Sequence, residues 1–161
     1  MVAISELFSL LGSSKSKLLI LHAGSECSGS VSSVSRSLIS EHVYSEALLR
    51  AERGRQTPVG AALRRAEQAG RAPADEAVLA VMRRWFFGRA ADRGFTLAGF
   101  PLNLRQALAL DEWLEARGEA LDGCLQPVDA PGADREVVAH YRDLGLLIQV
   151  PAGAAASARF P

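Results

Sequence analysis

The chain has 161 residues, 48% of them apolar and 22% charged, with 18 basic residues against 18 acidic ones. That length suits one domain able to bury about two-thirds of its unfolded surface, and the composition excludes a disordered chain. Zero formal net charge argues against a general nucleic-acid binder, which needs a basic excess to neutralise phosphates. No apolar run reaches the ~20 residues that span a bilayer. The N-terminus has no basic segment and carries Glu6, unlike a signal peptide. Cys27 and Cys124 make no disulfide scaffold, so the expectation is a cytoplasmic protein with free thiols.

Residues 1–16 read as an N-terminal extension. Ile4, Leu7, Phe8 and Leu11 share a helical face, and Gly12-Ser13-Ser14 ends it. That face either packs on the chain itself or docks a partner. Lys17 to Leu21 is a short apolar run, as in a strand buried on both faces of a parallel sheet. Small residues from Ala23 to Ser30 and a helix carrying Val31, Val34, Leu38 and Ile39 follow. Strand, tight loop and helix open a βαβ unit.

The middle of the chain reads as helical. One helix runs from Ser45 to Glu52. A second opens at Thr57-Pro58, with proline in its first turn, and closes at Gly70. A third starts at Pro73 with Asp75 and Glu76, whose acidic first turn complements the helix dipole. It carries Trp85, Phe86 and Phe87, which are adjacent and cannot all face one core. Either one of them is exposed as a surface for a protein partner or a second copy, or the helix packs on two sides.

Gly94 to Pro101 predicts a buried strand running into a turn, and Asn103 is the N-cap of a helix that ends near Gly118. Cys124 to Val128 is a weaker strand, Asp134 to Leu144 a short helix closed by Gly145, and Leu146 to Val150 a last strand. Strands alternating with helices predict an α/β fold, a three-layer α/β/α sandwich with a parallel sheet. It spans residues 17–150, with a helical insert at about 45–88 and an Ala-rich tail at 151–161.

Several segments together resemble the adenylate kinases, within the nucleoside monophosphate kinases. Gly94 to Leu110 is similar to the family stretch GF-x-L-DGFPR-T-x-x-QA-x-x-L. His42 to Arg50 is similar to H-I-S-T-G-D-x-L-R. Thr57-Pro58-Val59-Gly60, with Gly70, Pro73, Asp75 and Glu76 after it, is similar to TPLG…GxLVPDE. Tyr141 to Val150 is similar to the closing YYxxxGLLxEV. The matches keep family order and cover most of residues 17–150. The resemblance implies a P-loop-type fold with a five-stranded parallel sheet.

Where the family carries its phosphate loop, GxPGAGKGT, this chain reads His22 to Ser30. A working loop wraps phosphates in glycine backbone N–H groups and reaches them with a lysine. Here His22 and Cys27 stand for two glycines, Ser28 for the lysine, and only Gly29 and the hydroxyl of Ser30 match. Glu26 adds a carboxylate; one unit charge ~5 Å from a phosphate charge costs roughly 3 kcal/mol at an effective dielectric near 20. Ala98 replaces the family aspartate that helps hold the magnesium shell, and Leu102 replaces the arginine that clamps the acceptor phosphate. Val128 to Asp134 leaves no room for the arginine-bearing lid.

On the acceptor side the resemblance implies more. Arg50 matches the arginine at the nucleotide α-phosphate, Gln106 the glutamine that reads the adenine edge, and Ser45 the family threonine. Pro73 lies in the segment facing the base, while Glu46 replaces the glycine that lets the base approach. Each residue also has a plainer reading: Arg50 paired with Glu46 along the helix, Gln106 a solvated helix residue, Ser28 and Ser30 ordinary caps. Cys27 near a helix start could be a reactive thiol, yet with His22 and Glu26 it lacks the second spaced pair that a metal site needs.

The expectation is thus an adenylate-kinase-like pseudoenzyme with no catalytic residues and no magnesium cofactor. It would bind AMP or another nucleotide or anion weakly through Arg50, Gln106, Ser45, Pro73, Gly29 and Ser30. One alternative is a divergent phosphotransferase using replacement cations, with Arg36 and Arg142 the nearest. Another is a ligand-free structural or interaction domain, which a cleft filled by side chains would favour.

Overall fold

Five short strands lie side by side in the computed structural model, which describes residues 14–21, 41–127 and 133–150. They are β1 (Lys17–Ile20), β2 (Glu41–Tyr44), β3 (Phe95–Ala98), β4 (Gly123–Pro127) and β5 (Leu147–Val150). Their order is β2-β3-β1-β4-β5, and every neighbouring pair is parallel. The helices are α1 (Ser45–Arg53), α2 (Pro58–Gln68), α3 (Asp75–Gly88), α4 (Leu104–Ala116) and α5 (Arg135–Asp143). This is the expected α/β fold with five parallel strands in one sheet. The helical face of Ile4 to Leu11, the loop holding Gly29 and Ser30, the helix after it and the C-terminal tail lie outside the described residues.

The central strand β1 follows from its sequence: Leu18, Leu19 and Ile20 are all buried between β3 and β4. Phe95 and Leu97 of β3 and Cys124 of β4 join one core with Leu49, Leu63, Met82, Phe86, Leu110 and Tyr141 from the helices. Burial, with Asp111 nearby, pushes the Cys124 thiol well above its ordinary pKa, so this cysteine is inert packing rather than a nucleophile. The strand missing from the sequence reading is β2. It sits at the sheet edge, only Val43 of its four residues is buried, and Glu41 is exposed. Such a short, mostly polar edge strand has no apolar run to betray it.

Helix starts obey local chemistry. The Thr57 hydroxyl accepts from Gly60 N at 3.0 Å ahead of Pro58, and the Asn103 side chain accepts from Gln106 N at 2.9 Å, as expected. Gly60 is required for close packing, because a Cβ there would lie 2.5 Å from the Glu52 carbonyl oxygen. Of the three adjacent aromatics on α3, Phe86 is fully buried, Trp85 is half-buried against Phe95, and Phe87 is exposed beside the Arg83 guanidinium.

One end of the sheet is tied by charge. The Lys17 ammonium is buried and donates to Asp92 at 2.8 Å, and the Lys17 backbone N–H donates to Asp122 at 2.7 Å. Beside it Arg89 pairs with Glu119, their side chains only 4% and 3% exposed, and the guanidinium lies 4.4 Å from the centre of the Phe86 ring. Burial pushes the Glu119 carboxyl up, but hydrogen bonds from Arg89 and the Asp92 N–H outweigh it and leave the pKa lowered. β4 ends at Pro127 and α5 begins at Arg135, so residues 128–134 are all that separates them. Among the described residues, no helix is long and apolar enough to cross a membrane.

Candidate functional site

The C-terminal ends of β2 and β3 and the first turns of α1, α3 and α4 enclose a cavity of about 340 Å³. This is the usual ligand position in an open parallel sheet. Ser45, Pro73 and Gln106, three of the expected site residues, line it together. So do Ala98 and Leu102, which stand where the resemblance implies an aspartate and an arginine. Leu49, Val78, Pro73 and Leu102 make the walls largely apolar. The cavity is open, not filled by side chains. Its volume lies near the lower end of the about 300–1,000 Å³ common for ligand sites, enough for a single base or nucleoside.

Glycine at position 99 shapes the cavity. Its φ is +81°, and a Cβ there would meet the Ser45 hydroxyl oxygen at 2.4 Å. The chain therefore turns sharply past the start of α1, which brings β3 and α1 to the same wall.

Gln106 corrects the plainer reading: it is not solvated but only 4% exposed. Its side-chain oxygen accepts from the Leu102 N–H at 2.8 Å, and its side-chain nitrogen donates to Asp75 Oδ1 at 3.0 Å. Asp75 Oδ1 also accepts from the Asn103 side chain at 2.9 Å. A carboxamide has two N–H donors and two lone pairs on oxygen, so Gln106 keeps one of each beyond these bonds. The network fixes the amide orientation and joins the starts of α3 and α4.

Arg50 is not part of this lining. It is exposed on α1. Nor does it pair with Glu46, whose carboxylate instead accepts from Arg53 Nη1 at 2.9 Å. The longer reach along the helix wins because Arg53 is itself mostly buried and needs a counter-charge. Arg142 is exposed on α5, and Gly29, Ser30 and Arg36 lie outside the described residues. The sequence reading missed Tyr44, Leu49, Val78 and Asp75 as cavity walls. Spacing held a signal for one of them, since Leu49 follows the expected site residue Ser45 by one helical turn.

A second cavity, of about 430 Å³, also draws on α1 and α3, and is lined by Arg55, Arg84, Arg89 and Arg93 with Glu41 and Glu52. Glu52 is fully buried, bonded to Arg84 and to the Thr57 hydroxyl at 2.7 Å. The hydrogen bonds from Arg84 and Thr57 hold its carboxyl below the usual range.

No family model matches the sequence. The chain is similar to the adenylate kinase of Streptomyces coelicolor, 38% identical over 90 residues that make up 56% of this chain and 41% of that protein. It is similar to the adenylate kinase of Moorella thermoacetica, 34% identical over 95 residues, 57% of this chain and 42% of that one. It is also similar to adenylate kinase 4 of Arabidopsis thaliana, 32% identical over 84 residues, 52% of this chain and 34% of that one. The chain thus spans roughly two fifths of the length of the curated relatives it matches.

Proposed function

We propose that this chain, a relative of the adenylate kinases, is a nucleotide-class binding domain that holds a nucleobase in the cavity lined by Ser45, Pro73 and Gln106 and transfers no phosphoryl group. The observation that carries this reading is the convergence of those three residues on one open, mostly apolar cavity, with Ala98 and Leu102 in the same wall. The cavity offers a base flat apolar faces and one fixed amide edge, the usual mix of a small-molecule site.

Phosphoryl transfer depends almost wholly on positioning and on charge stabilisation by Lys, Arg and Mg²⁺. Losing one transition-state donor typically costs ~10²–10³ in rate. Ser28 where a lysine is needed, Ala98 for the metal-side aspartate, Leu102 for the clamp arginine and the short 128–134 connection remove several such contributions together. Losses of this kind are not additive, but each acts in the same direction.

The test is calorimetric titration of the whole chain with millimolar adenosine, AMP and ATP, each with and without magnesium, beside a phosphotransfer assay. The expected result is weak adenine-ligand binding that Gln106→Ala weakens about tenfold, no dependence on magnesium and no transfer. Tight, magnesium-dependent ATP binding with turnover would instead establish the divergent phosphotransferase. Failure of every nucleotide and nucleoside to bind would leave the ligand-free interaction domain.

A further inference from the structure

We infer that the cavity selects an uncharged nucleoside or free base over the corresponding nucleoside monophosphate. This rests on the reading of the cavity as a base-binding site and concerns what lies beyond the base.

The charged side chains lining the cavity among the described residues are Glu46 and Asp75, with no lysine, arginine or histidine. Each carboxylate has an arginine neighbour, Arg53 at 2.9 Å from Glu46 and Arg105 at 3.8 Å from Asp75. Neither arginine is in the lining, so the side-chain charge nearest a ligand is carboxylate, offset from behind by its paired arginine. A phosphomonoester brings about −1.5 to −2 charges at pH 7. Entering a partly enclosed site, it would exchange water for these paired carboxylates and the N–H groups of the helix first turns, with no cationic side chain among the described lining residues to meet it.

Leu102 marks where that cation is missing. It lines the cavity and is 45% exposed, at the position where the resemblance implies a phosphate-clamping arginine. The base end remains well served. Leu49, Val78 and Pro73 provide apolar walls, and Gln106 keeps one N–H and one lone pair for a heterocycle edge.

The experiment compares adenosine with AMP on the whole chain by calorimetry at low ionic strength. Adenosine is expected to bind at least about tenfold tighter, with the gap narrowing as salt screens the repulsion. Leu102→Arg, a change at a half-exposed position, is expected to narrow or reverse the ratio. AMP binding more tightly than adenosine would overturn the selectivity and leave the base-binding function standing. So would a ratio that Leu102→Arg does not move. If neither ligand binds at millimolar concentration, the base-binding reading falls, and this inference with it.

Discussion

The two cavities beside α1 and α3 are of similar size, about 340 and 430 Å³, and opposite in character. One is apolar with two carboxylates and, among the described residues, no cation in its lining. The other gathers four arginines. Counting arginines would place an anion in the second cavity, but those arginines already have partners. Arg84 and Arg55 serve the buried Glu52, Arg89 serves Glu119, and Arg93 lies 4.0 Å from Glu41. Arg84 ties α3 to α1, Arg89 ties the end of α3 to Glu119 beyond α4, and Arg93 approaches β2. In the first cavity the Gln106 amide is held in place by Asp75 and the Leu102 N–H. In the second cavity cationic charge serves structure, while the first is characterised by fixed amide geometry and apolar walls.

The largest effect that would break this contrast lies on the structural side. Glu119→Ala leaves Arg89 buried without its counter-charge, which is expected to cost about 3–5 kcal/mol. Urea unfolding measures it, and adenosine affinity of the folded fraction should be unchanged. pH probes the same group. Its folded pKa lies below the ordinary carboxyl value, so its contribution is fully present above about pH 4.3 and is lost as pH falls through the folded value. Glu119→Gln should therefore start less stable at neutral pH and lose less on acidification. A mutant that binds adenosine less well while keeping its stability would contradict the division of labour.

A smaller effect is expected at Gly99, where structure and site meet. Gly99→Ala must hold φ near +81° and place a Cβ 2.4 Å from the Ser45 hydroxyl oxygen, so about 1–2 kcal/mol of destabilisation should accompany a marked loss of adenosine binding. Adding Ser45→Ala removes the clashing oxygen but not the backbone strain. The double variant should regain part of the stability and little of the affinity. Full recovery of both would mean that the turn does not shape the cavity.

Much of this architecture was legible in the residues, and the exceptions share a cause. Lys17 to Leu21, Gly94 to Pro101, Cys124 to Val128 and Leu146 to Val150 signalled strands because their side chains are apolar. Glu41–Tyr44 gave no such sign, because an edge strand needs only Val43 inside. Asn103 was readable as a cap because capping is local. Gln106 carries two readings in the sequence, the adenine-edge glutamine by resemblance and a solvated helix residue, and its burial is not legible there because Asp75 reaches it only through the packing of α3 on α4. Arg53 rather than Arg50 partners Glu46 along the same helix, at a seven-residue spacing that the usual i,i+4 rule does not point to. Local chemistry shows in sequence, whereas burial of a polar group depends on contacts made by other elements.

Arg50 carries the smallest expected effect and the finest distinction. The resemblance makes it a phosphate ligand, yet it is exposed and absent from the cavity lining. If the cavity recognises only the base, Arg50→Ala should change AMP affinity less than about twofold, the range of an exposed charge acting through water. Adenosine affinity should not change at all. The informative quantity is the ratio of the two ligands' affinities, because any general disturbance of α1 would weaken both alike. A tenfold loss confined to AMP would show that Arg50 swings to the phosphate on binding, and the acceptor side would then still read charge. An unchanged ratio would place the whole of recognition on the Gln106 amide and the apolar walls around it.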